Sequence, residues 1–549
     1  MTHDAVTPDD RTAEDAAAQA ASLTEGRAHL GIELGSTRIK AALVDDAGAV
    51  LATGSHAWEN TLAEDNWTYA LEDAEAGLQA CYADLADAVR ERHGTEITAL
   101  ASIGISGMMH GYLALDAEGE QLVPFRTWRN TYTEDAAAEL SSTLELNIPL
   151  RWSVSHLLHA ARGGEEHVDR LGAITTLAGW VHRRLTGRHV LGVGDASGMF
   201  PISADGTDYD ADLLERAGAL EALRDRPWSL KDLLPEVLVA GQDAGELSEE
   251  GARLLDPSGT LRPGAVAAPP EGDAGTGMVA TNAVGPRTGN VSAGTSAFAM
   301  VVLEGPLSGP REEIDLVTTP AGHPVAMIHT NNCTGDLDAW LGVFARFAEL
   351  SGSPVPAEEL YSTLFRAGAE GEADAGGVLS YNYLSGEHQT GVPSGRPLLV
   401  REQSARFTLE NLMRAQLHGA FGALAVGMRA LLVDEGVQLD VMHAHGGIFR
   451  TAGVAQQVLA DAIDTPVAVG ASAGEGGAWG MALLAAYTRR RRHGDGDLSL
   501  ADFLDQEVFA GEDQSVLEPT PEGVAGYARW LEAYTAALPV ERLAGETLG

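Results

Sequence analysis

The chain has 549 residues, enough for two or three domains whose cores need no disulfide or metal staple. Its 36 basic and 79 acidic residues leave a formal net charge of −43, a field that repels nucleic acid and anionic lipid and argues against either as a partner. Two cysteines, Cys81 and Cys333, exclude a disulfide framework and a zinc ribbon and point to a reducing, cytoplasmic setting.

Residues 1–28 are polar, acidic and Ala-rich, with no basic n-region or apolar h-region. They read as a loose, disordered tail rather than a signal peptide. Order is predicted from His29: strand over 29–34, turn at Gly35, Ser36 and Thr37, returning strand over 39–44, and a third strand over 49–55. Helical spacing predicts a surface helix over 72–92. A buried strand over 98–105 then runs into Ser106, Gly107, Met108, Met109 and His110, and Trp128, Arg129 and Asn130 follow. A polar cluster at the C-terminal end of a strand is where open α/β sheets place ligands. Residues 171–185 read as strand then helix, 194–198 as a loop and 208–233 as one or two helices, with strand again at 264–268. The first domain is expected to close near residue 285.

The next stretch, 271–300, organises the rest. Asp273 lies among Gly272, Gly275 and Gly277, where backbone can approach a ligand closely. A strand over 289–293, a tight turn at Gly294, Thr295 and Ser296, and a returning strand over 297–302 follow. Free turn amides and two hydroxyls suit such a tip to phosphate oxygens. The tip resembles that at 35–37, and two similar tips in different halves of a chain suggest a duplicated domain with a cleft between the copies. In the second half, 325–330 and 441–445 read as strands, 335–350, 357–367, 409–433 and 452–463 as helices, and 379–387 as strand then loop. Gly446 and Gly447 form a turn. Residues 472–486 form a small-residue helix, 489–492 its solvated basic end, and the tail a docked helix. The most tempting apolar run, 478–487, is too short to cross a membrane.

Several chemistries fall away. No P-loop sequence is present, Gly272 to Gly277 reverses the dinucleotide spacing, no nucleophile elbow occurs, and His443 and His445 lack a third metal ligand nearby in sequence. What remains is two phosphate-binding tips, a Gly-Gly turn after a late strand, and one carboxylate set for phosphoryl transfer.

These pieces occur in a known order. Ile32-Glu33-Leu34-Gly35-Ser36-Thr37, then Gly104 through Gly111, Gly272-Asp273, Ser292 through Ser296 and His445-Gly446-Gly447 resemble the FGGY carbohydrate kinases over about residues 30–490, nearest the pentulokinase branch of xylulokinases and ribulokinases. The resemblance implies an α/β fold of two actin-like (ribonuclease-H-like) ATPase domains with a cleft between them. The expected ranges are 29–285 for the sugar-binding domain with the catalytic base, 286–490 for the ATP-binding domain and 491–549 for a helical extension. It implies Asp273 as general base, and Met109, His110, Trp128 and Asn130 as sugar contacts beside Asp273. ATP would meet Gly35, Ser36, Thr37, Gly294, Thr295, Ser296, Gly446, Gly447 and Glu475. Magnesium would face Glu33 and Asp273 through water, since a buried strand carboxylate at 33 is costly without a partner. Three departures from the family pattern stand out: Glu33 for aspartate, Met108 for glutamine, and Ala274 for asparagine. The implied activity is ATP-dependent phosphorylation of a ketopentose, L-ribulose or D-xylulose, to its 5-phosphate. A kinase of another sugar or polyol and an inactive nucleotide-binding regulator are the alternatives, and a homodimer is a candidate assembly.

Overall fold

The computed structural model describes residues 19–63, 65–470, 476–494, 497–511 and 514–548. By its contacts the chain divides into two units. The first takes Met1–Val284, Val317–Pro324 and Glu475–Ala510; the second takes Gly285–Leu316, Val325–Gly474 and Gly511–Gly549. Chain order is therefore not contact order. Residues 476–490, expected with the second domain, group with the first unit, and the last stretch from 514, expected as an extension, groups with the second.

The sheet of the first unit has six strands: β1 (His29–Leu34), β2 (Arg38–Val44), β3 (Val50–Ala57), β4 (Ser102–Gly107), β5 (Val266–Ala267) and β6 (Glu271–Gly272). Their order is β5-β4-β1-β2-β3, with β6 also on β4. β1, β2 and β3 form an antiparallel meander, while β4 runs parallel to β1, β5 and β6. All of β4 is buried, as a parallel strand covered on both faces must be. The helix Leu71–His93 packs on this sheet through Leu71, Ala74, Leu78, Cys81, Leu85 and Val89, so the predicted surface helix has a full core face. Gly94, left-handed at φ 64°, ends it by donating to the Arg90 carbonyl. The helix Gly476–His493 also packs on the sheet, so closely that a Cβ on Gly31 would lie 2.1 Å from the Ala478 carbonyl oxygen. Leu23 and Ala28 are buried in the same core, so order begins before His29. Residues 194–198, read as a loop, include a short helix, Val193–Ala196. The basic run at 489–492 is the solvent-facing helix end expected, with Arg491 and Arg492 exposed, and it also pairs Arg490 with Glu507 and Arg492 with Asp243 and Glu246.

The second unit repeats the plan. β7 (Thr288–Ala293), β8 (Ala297–Val302), β9 (Asp315–Thr318), β10 (Pro324–Thr330), β11 (Val441–His445), β12 (Val467–Val469) and β13 (Ser515–Leu517) form a sheet in the order β9-β10-β8-β7-β11-β12-β13. β7, β8 and β10 are an antiparallel meander, and β11 is parallel to β7. The run β11-β7-β8-β10 thus matches β4-β1-β2-β3 strand for strand, and the duplication suggested by two short tips is present in the sheets. The stretch Leu409–Asp434 is long and apolar enough to cross a membrane by length and composition, which the sequence reading had missed. Here 78% of its most apolar window is buried, as a core helix packed with Trp530 and Tyr534 of the C-terminal helix Pro521–Leu548.

Candidate active site

In the first unit, β1, β4 and β6 end side by side, with Glu33 opposite Ser106 and Ser106 opposite Glu271. The chain leaves β6 through Gly272 directly into the helix Asp273–Ala280. The glycines of 272–277, read as permissive backbone for ligand approach, therefore open a helix, and Asp273 occupies its first turn, where backbone amides favour a carboxylate. Asp273 Oδ1 accepts from the Met109 amide at 3.2 Å and the Ala274 amide at 3.0 Å. The side chain is open to solvent, yet dense protein around it raises its carboxyl above the usual aspartate range, against the pull of these amides. A reachable carboxylate with a raised pKa is suited to accept a proton.

Met109 and His110 lie on the loop after β4. His110 has φ 69°, a strained left-handed conformation for a non-glycine residue. Its Nδ1 lies 3.3 Å from the Gly198 carbonyl oxygen, which can only accept, so Nδ1 carries the proton. Burial drives the ring well below its ordinary pKa, leaving a neutral imidazole whose Nε2 is an acceptor. Trp128 is 42% exposed. Asn130 is not free: its Oδ1 takes the Trp67 amide, and its Nδ2 bonds the Trp67 and Thr127 carbonyls. Both its donors and one lone pair of its oxygen are thus engaged within the loop that carries Trp128.

The two hairpin tips are built alike. At the first, the carbonyls of Gly35, Ser36 and Thr37 are tied back by Trp58 Nε1, the Tyr69 hydroxyl and the Trp58 amide. At the second, Thr334 holds the Gly294 carbonyl with its amide and hydroxyl, and the Cys333 amide holds that of Thr295. With the carbonyls turned back, the amides of Ser36, Thr37, Thr295 and Ser296 find no acceptor among the described residues. This is the arrangement that receives phosphate oxygens. Gly446 stands beside the second tip, at φ 126°, where a Cβ would come 2.0 Å from the Ala293 carbonyl oxygen. Only glycine fits there, and Gly447 is exposed next to it. Glu475 lies outside the described residues. Gly477 and Gly480, on the small-residue helix, pack closely: their added Cβ atoms would meet Glu33 at 2.5 Å and the Thr276 carbonyl at 2.1 Å.

Residues 28–258 match the N-terminal domain of the FGGY family of carbohydrate kinases, and residues 289–489 match its C-terminal domain. The chain belongs to the FGGY carbohydrate kinase family. Among relatives, the xylulose kinase of Haemophilus influenzae is 22% identical over 523 residues, 93% of this chain and 99% of that protein. The match to the xylulose kinase of Staphylococcus xylosus is 23% identical and covers 41% of this chain and 46% of that protein. The fold is that of the Lactobacillus acidophilus xylulose kinase, with TM-score 0.75 and 16% identity over 95% of this chain and 99% of that one. It is equally that of the same organism's gluconate kinase, with TM-score 0.74, 16% identity and the same coverages. This FGGY chain is thus a sugar kinase by family, and ATP is the phosphoryl donor that FGGY kinases use.

A nucleotide kinase implies magnesium. Glu33 and Asp273 are hard oxygen donors, and the Asp273 charge, after burial, raises the Glu33 carboxyl. No group of three or more His, Cys, Asp or Glu able to hold an ion occurs among the described residues. That donor set fits an ion held mostly by water and phosphate, as magnesium commonly is. Glu33 also has local support that the sequence argument had not supplied, from the Ala478 amide and the Lys40 charge.

Sequence reading singled out Asp273 but passed over Glu271, Asp195 and Thr176. Glu271 is 1% exposed and its carboxylate accepts from the amides of Gly194 and Asp195 at 3.4 and 3.0 Å. Asp195, fully buried, accepts from the Thr176 hydroxyl at 2.6 Å. Burial raises both carboxyls. The one available signal was Glu271 itself, a charged residue between Pro270 and Gly272.

Proposed function

We propose that this sugar kinase transfers the γ-phosphoryl group of ATP to the 5-hydroxyl of a ketopentose, D-xylulose or L-ribulose. The observation that carries the reading is Asp273 Oδ1 held on the amides of Met109 and Ala274, beside the loop of His110. In this mechanism Asp273 accepts the hydroxyl proton as the sugar oxygen bonds the γ-phosphorus. The bond from that phosphorus to the bridging oxygen breaks, and ADP leaves. Neutral His110 accepts a hydrogen bond from a sugar hydroxyl through Nε2, and Trp128 borders the sugar. In the second unit the acceptor-free amides at 294–296 and the Gly446-Gly447 turn offer contacts to nucleotide phosphates; in the first unit, taken by itself, the amides at 35–37 offer the same kind of contact. Magnesium, held through water by Glu33 and Asp273, would neutralise phosphate charge. Both relatives named above are xylulose kinases, which makes D-xylulose the first acceptor to test. Met108 and Ala274, the two sugar-side departures, keep L-ribulose beside it.

The test is a sugar-dependent ADP-release screen over D-xylulose, L-ribulose, D-ribulose, L-xylulose, gluconate and glycerol. The expected result is a ketopentose preferred at least tenfold in kcat/KM. Preference for gluconate or glycerol would refute the ketopentose assignment, and ATP binding with no acceptor turned over would refute the kinase reading.

A further inference from the structure

Glu271 has no role in the transfer just described, yet the chain makes room for it at two places. A Cβ on Gly192 would lie 2.2 Å from its Oε1, and one on Gly194 would lie 2.4 Å from its Oε2. Two glycines thus leave the seat into which this carboxylate folds. It is held there by the Asp195 amide at 3.0 Å and, more weakly, by the Gly194 amide at 3.4 Å. A buried carboxylate is tolerated only with such partners.

The connections run outward on both sides. On one side the chain passes from Glu271 through Gly272 into Asp273, and a Cβ on Gly272 would strike Met109 Cγ at 2.2 Å. On the other, the turn at Val193–Ala196 continues to Gly198. The Gly198 amide donates to the Asp195 carbonyl, and the Gly198 carbonyl takes His110 Nδ1. The same turn is braced by Thr318, whose amide donates to Ser197 Oγ and whose hydroxyl donates to the Val193 carbonyl. The carboxylate therefore joins the corner carrying the base to the turn that orients His110.

We infer that Glu271 is a positioning residue for phosphoryl transfer: seated between Gly192 and Gly194, it sets Asp273 and His110 in one register on the sugar. This rests on the kinase reading above, with Asp273 as base. It needs no change of charge during the reaction, only a fixed shape and an acceptor for the Asp195 amide. Misplacement of a reacting group by about 1 Å costs on the order of 100-fold in rate, which sets the scale of the effect.

The experiment uses the full chain and compares wild type with Glu271→Ala, Glu271→Gln and Gly194→Ala. Gly194→Ala leaves the carboxylate intact but pushes it from its seat, and serves should Glu271→Ala fail to fold. Sugar-dependent ADP release gives kcat and both KM values, and thermal unfolding reports the fold. Glu271→Ala and Gly194→Ala are expected to lower kcat about 10- to 100-fold with the ATP KM within about twofold. Glu271→Gln, which keeps the shape and one acceptor, should regain at least about tenfold of that loss. The inference is overturned, with the kinase reading intact, if Glu271→Ala and Gly194→Ala turn over sugar within about twofold of wild type. It is equally overturned if Glu271→Gln is as impaired as Glu271→Ala while kcat, ATP KM and unfolding temperature fall together. A wild type that turns over no sugar in the panel overturns the kinase reading and this inference with it.

Discussion

Replacing Asp273 with asparagine separates base chemistry from architecture. Asparagine has the same shape, and its Oδ1 can keep the bonds from the Met109 and Ala274 amides, at 3.2 and 3.0 Å in the wild type. What it lacks is a basic oxygen for the sugar proton. General-base catalysis contributes about 10²- to 10⁴-fold, so kcat should fall by that factor, a barrier increase of about 3 to 5 kcal/mol at 1.36 kcal/mol per decade. Stability at neutral pH should not fall, because the crowded carboxyl is already disfavoured as an anion and a neutral amide relieves that cost. Sugar-dependent ADP release measures the first quantity, and urea unfolding with ATP binding measures the second. Turnover within tenfold of wild type would remove Asp273 from the chemistry. Loss of ATP binding together with turnover would show that the side chain builds the site rather than serving as its base.

Two further predictions test other parts of the chain. Gly446→Ala places a Cβ 2.0 Å from the Ala293 carbonyl oxygen at φ 126°, so the turn must shift; the ATP KM should rise about tenfold or more while sugar binding is kept, and an unchanged ATP KM would clear this turn of a nucleotide role. His182, buried and donating Nε2–H to the Ala244 carbonyl, is lowered from 6.5 to about 4 by burial. The unfolded chain binds the extra proton first, so this contribution is complete above about pH 6.5 and is lost as pH falls through about 4. It is worth at most about 3 kcal/mol, from roughly 2.5 pH units at 1.36 kcal/mol each. His182→Gln keeps a donor and should lose less stability than wild type between pH 7 and 4 in urea titrations; parallel losses would refute the assignment.

Much of the first sheet was legible because its strands carry local signals. The apolar run at 29–34, the turn at 35–37 and the returning strand differ from the observed β1 and β2 by a residue at most. A candidate residue was legible where one short stretch carries its chemistry, as with the lone carboxylate among the glycines at 273. It was illegible where meaning depends on what packs opposite. The glycines at 272–277 and 477–480 look alike as permissive backbone. In the structure Gly477 and Gly480 seat their helix against Thr276, whereas a Cβ on Gly272 would meet Met109, one on Gly275 Pro320, and one on Gly277 nothing within 4 Å. Asn130 is implied as a sugar contact by the family resemblance; its hydrogen bonds to Trp67, far away in sequence, were not legible. The placement of the helix Gly476–His493 was illegible for a similar reason: most of the second sheet precedes it in sequence, but it packs on the first.

The hairpin tips carry this one step further. Their sequence likeness is slight, a glycine with two hydroxyl residues in each. Their physical likeness is larger and lies in residues that do not resemble one another. Trp58 and Tyr69 stack at 4.3 Å and turn back the carbonyls of the first tip, while Cys333 and Thr334 do so for the second. Each unit has thus reached the same outward row of amides with different side chains. A phosphate-binding tip depends on where its carbonyls are anchored, and the anchors are free to change as long as they donate. This fits a run of four strands, β4-β1-β2-β3 against β11-β7-β8-β10, that is duplicated while little of the duplication survives in the letters.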